Sequence, residues 1–133
     1  MKHLFLLSIF SLTSVACYCQ TQAELNDKAN REFQTIDKEL NSVYQKILND
    51  YSKDTAFIKN FKIAQRIWVQ YRDAEMKAKY PDREPGYYGS VQPMCWFIYM
   101  KDLTQKRIKK LEEWIKGDEE GDVCSGSVKI KQQ

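Results

Sequence analysis

The chain has 133 residues, enough for one domain, with 43% apolar and 29% charged residues. This is a globular balance rather than a disordered one. Five glycines and three prolines supply too little turn material for an all-β fold. The net charge of +3, from 21 basic and 18 acidic residues, argues against nucleic acid as a main partner.

Residues 1–19 read as a secretory signal peptide. Lys2 and His3 make a short basic start. Leu4 to Leu12 is apolar apart from Ser8 and Ser11, and small residues follow. The apolar run is too short to span a bilayer. Two processing routes are open. Cleavage after Cys19 starts the mature chain at Gln20. Lipidation at Cys17 would anchor it to a membrane, although Ser14 fits poorly at the position where lipoprotein signals carry Leu. Simple export, periplasmic or secreted, is the favoured reading. Loss of residues 1–19 removes Lys2 and His3, leaving 20 basic against 18 acidic residues and no histidine. Without an imidazole there is no Ser-His pair and no histidine ligand for zinc. Cys95 and Cys124 are then the remaining cysteines, and in an exported protein an even pair reads as one disulfide.

From Thr21 to about Tyr51 the pattern predicts one long amphipathic helix. Leu25, Ala29, Phe33, Ile36, Leu40, Val43 and Ile47 recur at steps of four and three, with no Gly or Pro between them. At 1.5 Å per residue it reaches roughly 45 Å. It reads as the arm of an antiparallel bundle rather than a coiled coil, because the next helix begins within a few residues. Ser52 or Asp54 is placed to cap that second helix. Phe57, Phe61, Ala64, Trp68 and Tyr71 lay an apolar stripe along it, widened by Ile58, Ile67 and Ala74. The stripe asks for a neighbour on each side. Arg72 and Asp73 follow it, and the helix should end near Lys79, before Pro81.

Residues 80–93 differ in kind. They hold all three prolines, Gly86 and Gly89, and Tyr80, Tyr87 and Tyr88. Proline lowers the entropy lost on ordering, so this reads as an ordered loop. Ser90 or Gln92 is placed to cap the third helix, with Pro93 in its first turn. That helix should run from about Pro93 to Lys116, with Gly117 as its C-cap. Asp118, Glu119, Glu120 and Asp122 in the tail do not have EF-hand spacing and read as a solvated turn, so no metal site is expected. A Cys95–Cys124 bond would pin the tail back to the start of the third helix, closing a loop of about thirty residues for roughly 3–4 kcal/mol. The expected fold is therefore an all-α antiparallel three-helix bundle over residues 20–133, with an ordered loop between helices two and three and a disulfide-pinned tail.

No Gly-rich phosphate loop, nucleophile elbow or metal-ligand cluster is present in the sequence. Glu112 and Glu113 are adjacent, about 100° apart on a helix, and cannot flank one bond. An enzyme is not expected, nor a cofactor. Arg72 and Asp73 read as a hydrogen-bonded lock between helices, with Arg107 as a further partner; the competing reading is a catalytic or ligand-binding charge pair. Two roles are open for the loop tyrosines. They either roof the helices or, with Arg83 and Ser90, present an interface, since Tyr and Arg dominate binding hot spots.

Leu40, Asn41 and Tyr44, then Ala64, Gln65, Trp68, Tyr71, Arg72 and Asp73, then Cys95, Leu103, Thr104, Arg107 and Leu111 form a set. In this set the chain resembles the lysozyme-inhibitor LprI-like N-terminal domain family, over residues 24 to 115. The resemblance implies an exported helical protein without enzymatic activity, with lysozyme-inhibiting relatives. It marks Gln65, Trp68, Tyr71, Arg72, Asp73 and Arg107 as the structural motif. The family's cysteine after the Arg-Asp pair is replaced here by Met76, which implies that Cys124 takes over as the partner of Cys95. The expected activity is binding and inhibition of a lysozyme-like muramidase, with Tyr87 and Tyr88 entering the enzyme's cleft, Arg83 pairing with an acidic residue and Ser90 hydrogen-bonding. The alternative is a non-enzymatic envelope module that binds a cell-wall fragment or a protein partner.

Overall fold

The structure, a computed structural model, describes residues 20–131; the expected signal peptide lies outside them. Three helices account for most of the chain: α1 (Gln22–Asp50), α2 (Thr55–Lys79) and α3 (Gln92–Lys116). Among the described residues there is no strand, only an isolated bridge between Asp118 and Ile130. The expected helix boundaries agree with these to within a residue or so.

Local chemistry sets each boundary. Thr21 and Glu24 form a reciprocal capping box: the Glu24 amide donates to Thr21 Oγ1 at 3.3 Å, and the Thr21 amide donates to Glu24 Oε2 at 2.8 Å. Asp54, rather than Ser52, caps α2 by accepting from the Phe57 amide at 2.9 Å. The start of α3 departs from expectation. Its cap position is Val91, with no side-chain hydrogen bond, and Pro93 occupies the first turn. Proline brings no amide that needs a partner there. Ser90 contributes its carbonyl instead, which accepts from Asn26 Nδ2 at 3.1 Å and fastens the loop to the start of α1.

The three helices run up, down and up. Asn26 meets Ser90, Glu32 meets Lys101 and Tyr51 meets Trp114, so α1 and α3 are parallel. Tyr44 stacks on Phe61, Arg72 reaches Asp37, and Tyr99 donates to Glu75, so α2 is antiparallel to both. The backbones of α1 and α3 approach closely along their length, whereas α2 stands off. Thr104, fully buried on α3, uses its hydroxyl on the Met100 carbonyl at 2.8 Å and needs no partner across the interface. The wider gap to α2 is filled by rings. Phe57, Phe61, Tyr51 and Trp114 lie within 4.6 to 6.3 Å of one another where they touch. They join Leu40, Ile47, Ile108 and Leu111 in one core.

Two expectations need correction. The buried side of α2 carries Phe57, Phe61, Gln65 and Met76, while Ala64, Ile67 and Tyr71 are exposed. The inward face is thus rotated from the apolar stripe towards Gln65 and Arg72, because the side chains that bridge the wider gap are long and polar as well as aromatic. Cys95 and Cys124 are both free thiols, and the expected disulfide is not formed. Cys95 lies in the first turn of α3, and about 32 Å of helix rise separates it from Lys116 at the other end. The tail is tied at that far end, where Asp118 exchanges backbone hydrogen bonds with Lys129 and Lys131. Cys124 sits exposed in the loop so closed, far outside the reach of a disulfide.

Tyr51 holds the tail in place of a disulfide. Its hydroxyl donates to the Trp114 carbonyl at 2.7 Å and accepts from the Lys129 amide at 2.9 Å. Burial, helped by the charges of Asp50 and Asp118, pushes the Tyr51 phenol above its ordinary value. The folded state therefore keeps this proton more tightly than the unfolded chain, and the associated stability is lost as pH rises past about 10. Denaturation midpoints of the wild type should fall more steeply above pH 10 than those of Tyr51→Phe. Gly117 adopts φ 75°, and a Cβ there would lie 2.5 Å from the Lys129 carbonyl oxygen. Gly117→Ala should cost about 1–3 kcal/mol in urea titrations, by strain at positive φ and displacement of the tail.

Candidate functional site

Two clusters contain the residues singled out in the sequence. The first spans the middle of the bundle. Arg72 is largely covered; its Nη1 donates to Asp37 Oδ1 on α1 and its Nε to Asp73 Oδ1, both at 3.1 Å. Its guanidinium lies 5.4 Å from the Trp68 ring and 5.9 Å from the Phe33 ring. Arg107 reaches the same indole from α3, at 5.6 Å. Trp68 is therefore the common contact of two cations, a favourable arrangement for the ring's quadrupole in a partly desolvated site.

The two arginines differ in their partners. Arg72 has two carboxylates. Arg107 has none among the described residues and donates its Nε to Gln65 Oε1 at 3.1 Å. Burial draws its guanidinium below the ordinary arginine range, though arginine at any such position stays protonated. The sequence pointed to Arg72, Asp73 and Arg107 as one lock. The structure brings Arg72 and Arg107 together through Trp68, and adds Asp37 and Gln65 as acceptors. Nothing in the periodicity of α1 distinguishes Asp37 from its charged neighbours. Tyr71 takes no part in this cluster's hydrogen bonds and is 55% exposed. No fully buried side-chain nitrogen or oxygen among the described residues lacks a partner, and the cluster reads as an interhelical fastening. Gln65→Ala would leave the half-buried Arg107 without its acceptor and should cost about 1–3 kcal/mol, measured by thermal or urea unfolding.

The second cluster is the loop between α2 and α3. Turn hydrogen bonds from Tyr87 to Glu84, Gly89 to Gly86 and Gln92 to Gly89 shape it, at 3.0 to 3.3 Å. Gly86 and Gly89 adopt φ of 84° and 70°, which side chains with a Cβ disfavour. The two adjacent tyrosines have separate roles. Tyr88 is half-buried; its hydroxyl donates to the Pro81 carbonyl at 2.8 Å and its ring packs edge-on against Tyr80, which in turn packs on Trp96. Tyr87 is 67% exposed, packs edge-on against Tyr88 at 4.9 Å, and has the Arg83 guanidinium 5.7 Å from its ring. Tyr88 thus roofs the bundle while Tyr87 projects from it. A cavity of about 370 Å³ opens beneath, with Lys77, Tyr80, Arg83, Tyr87, Gln92 and Trp96 among its walls. Of the four expected interface residues, Arg83 and Tyr87 form one exposed unit, Tyr88 supports it, and Ser90 ties the loop to α1. No group of His, Cys, Asp and Glu suited to a metal ion occurs among the described residues.

The family described as lysozyme inhibitor LprI matches residues 15–111, and the chain belongs to it. An uncharacterized protein of Rhizobium meliloti (strain 1021), R02472, is 31% identical over 113 residues, covering 74% of this chain and 77% of the relative. No solved structure matches.

Proposed function

We propose that this chain is an exported protein that binds and inhibits a lysozyme-like muramidase, with the Arg83–Tyr87 unit as its docking element. Membership of the lysozyme inhibitor LprI family carries the target class. The exposure of Tyr87 on a loop already braced by Tyr88 and two positive-φ glycines carries the choice of element. A ring held in place before binding loses little entropy on entering a cleft. Muramidase clefts contain a pair of carboxylates, and Arg83 beside Tyr87 supplies the complementary cation. The sequence bears the marks of an export signal, and no helix among the described residues is long and apolar enough to cross a membrane.

Tyr87→Ala and Arg83→Ala should each weaken inhibition by about 30-fold or more, the loss typical of a central aromatic or arginine anchor. Circular dichroism should remain unchanged, because neither side chain packs in the core. Full inhibition by both variants, across several lysozyme classes, would remove the loop from the mechanism. A second reading rests on the cavity beneath the loop. Tyr80, Tyr87 and Trp96 offer ring faces and Gln92 and Lys77 offer hydrogen bonds, which suits a cell-wall saccharide. Saturable binding of a muropeptide without any effect on lysozyme would favour that reading.

A further inference from the structure

The exposed face of α2 has a composition that neither the fold nor the loop requires. Ile63, Ile67 and Tyr71 recur at steps of four and are 43%, 57% and 55% exposed. Over this span they form a row about 12 Å long on a convex helix face. Ala74 and Ala78 continue the row towards the end of the helix, and both are exposed. The adjacent row holds Lys59, Lys62, Arg66 and Lys77, all exposed, with Gln70 and Asp73 between the last two. None of these four makes an ion pair among the described residues, where the ion pairs formed involve other cations.

Charge is also unevenly divided across the molecule. In α2 six basic residues face two acidic ones (Asp73 and Glu75), and in α3 six face three. In α1 the balance is reversed, with four basic residues against six acidic ones. Without Arg72 and Arg107, which turn inward to Trp68, α2 and α3 still hold ten basic residues against five acidic ones, so the positive excess of a nearly neutral chain lies on these two helices.

We infer that the outer face of α2 lies on an anionic phospholipid surface. Three features fit lipid rather than a folded acidic protein. The apolar residues stand in one oblique row on a convex face, turning about 40° per step, where a protein partner would have to supply a matching groove. The cations beside them are mostly lysines, whose long apolar stems let the ammonium reach headgroups while the row sinks towards the acyl boundary. Tyr71, at the end of the row, is of the residue type that settles at membrane–water interfaces. The face is independent of any acyl chain on Cys17, which lies outside the described residues. The face meets the loop cavity only at Lys77, and Lys59, Arg66, Ile67 and Tyr71 lie apart from the Arg83–Tyr87 unit.

The test is sedimentation of residues 20–133, which hold the whole bundle and no Cys17, with vesicles of phosphatidylcholine and phosphatidylglycerol at 3:1 or of phosphatidylcholine alone. Binding to the anionic vesicles that is released between 0.1 and 0.5 M salt is the expected result. K59Q/R66Q should weaken partition by about twentyfold, since each basic residue near such a surface contributes about fivefold. I67S/Y71S should weaken it as well, and both variants should keep wild-type circular dichroism and wild-type lysozyme inhibition. Absence of binding to the anionic vesicles, or equal binding to the neutral ones, overturns the inference. Retention on immobilised polyglutamate without vesicle binding would assign the face to an acidic protein and overturns it too.

Discussion

The distance at which α2 stands from the other two helices governs most of this structure. α1 and α3 are held by close backbone approach, with small or compact side chains such as Ala29 and Thr104 buried along them. α2 is held by side chains that reach. Phe57, Phe61 and Trp114 fill the gap at one end, and Trp68 with Arg72 and Arg107 fills the middle. Long polar groups are admissible there because each finds an acceptor: Asp37, Asp73 and Gln65. The arrangement has the character of a polar fastening, in which loss of one member strands another, more than of a hydrophobic seam.

The positions of the helices were legible because they depend on local chemistry. Capping residues, the absence of Gly and Pro within helices and the four-three periodicity all act within a few residues of where they are read. The orientation of α2 was not legible. Its apolar stripe and its buried face differ by a rotation that brings Gln65 and Arg72 inward and leaves Ile67 and Tyr71 outside. Periodicity assumes that apolar side chains seek the core. It fails where the neighbouring helices are too far away for an isoleucine to reach and a guanidinium can. The motif residues Gln65, Trp68, Arg72 and Arg107 were marked by family resemblance, but their acceptor Asp37 carries no such mark. Its role arises only from the register between α1 and α2.

The cysteines illustrate a different limit. Counting an even pair in an exported chain is sound as composition, yet pairing is decided by geometry over the whole fold. Most of the 25-residue α3 lies between Cys95 and the tail, and a helix is a spacer of fixed length. The tail is retained at the far end by weaker means: the Tyr51 hydroxyl, the Gly117 turn and the backbone pairing of Asp118. These contacts are local to the base of the bundle, so the loop at the opposite end does not depend on them. A redox change at Cys124 would leave the braced geometry of Tyr87 in place, whereas Cys95 sits beside Trp96 and Tyr80 at the loop end.

The loop itself was recognised by composition, and the structure divides its adjacent tyrosines between support and display. That division follows from backbone geometry. The turns at Gly86 and Gly89 bracket the pair, and consecutive residues in such a turn project differently. Tyr88 is drawn in by the Pro81 carbonyl and the Tyr80 ring, which leaves Tyr87 with Arg83 as the projecting unit. The distribution of charge then bears on which end meets a partner. The α2 and α3 side is positive and disfavours a basic enzyme, whereas residues 80–91 carry Asp82 and Glu84 against Arg83 alone. Like-charge repulsion along the flank and a slightly acidic tip together favour end-on approach of a basic lysozyme to the loop. On the proposed inhibitory reading, the helices set orientation and the loop sets recognition.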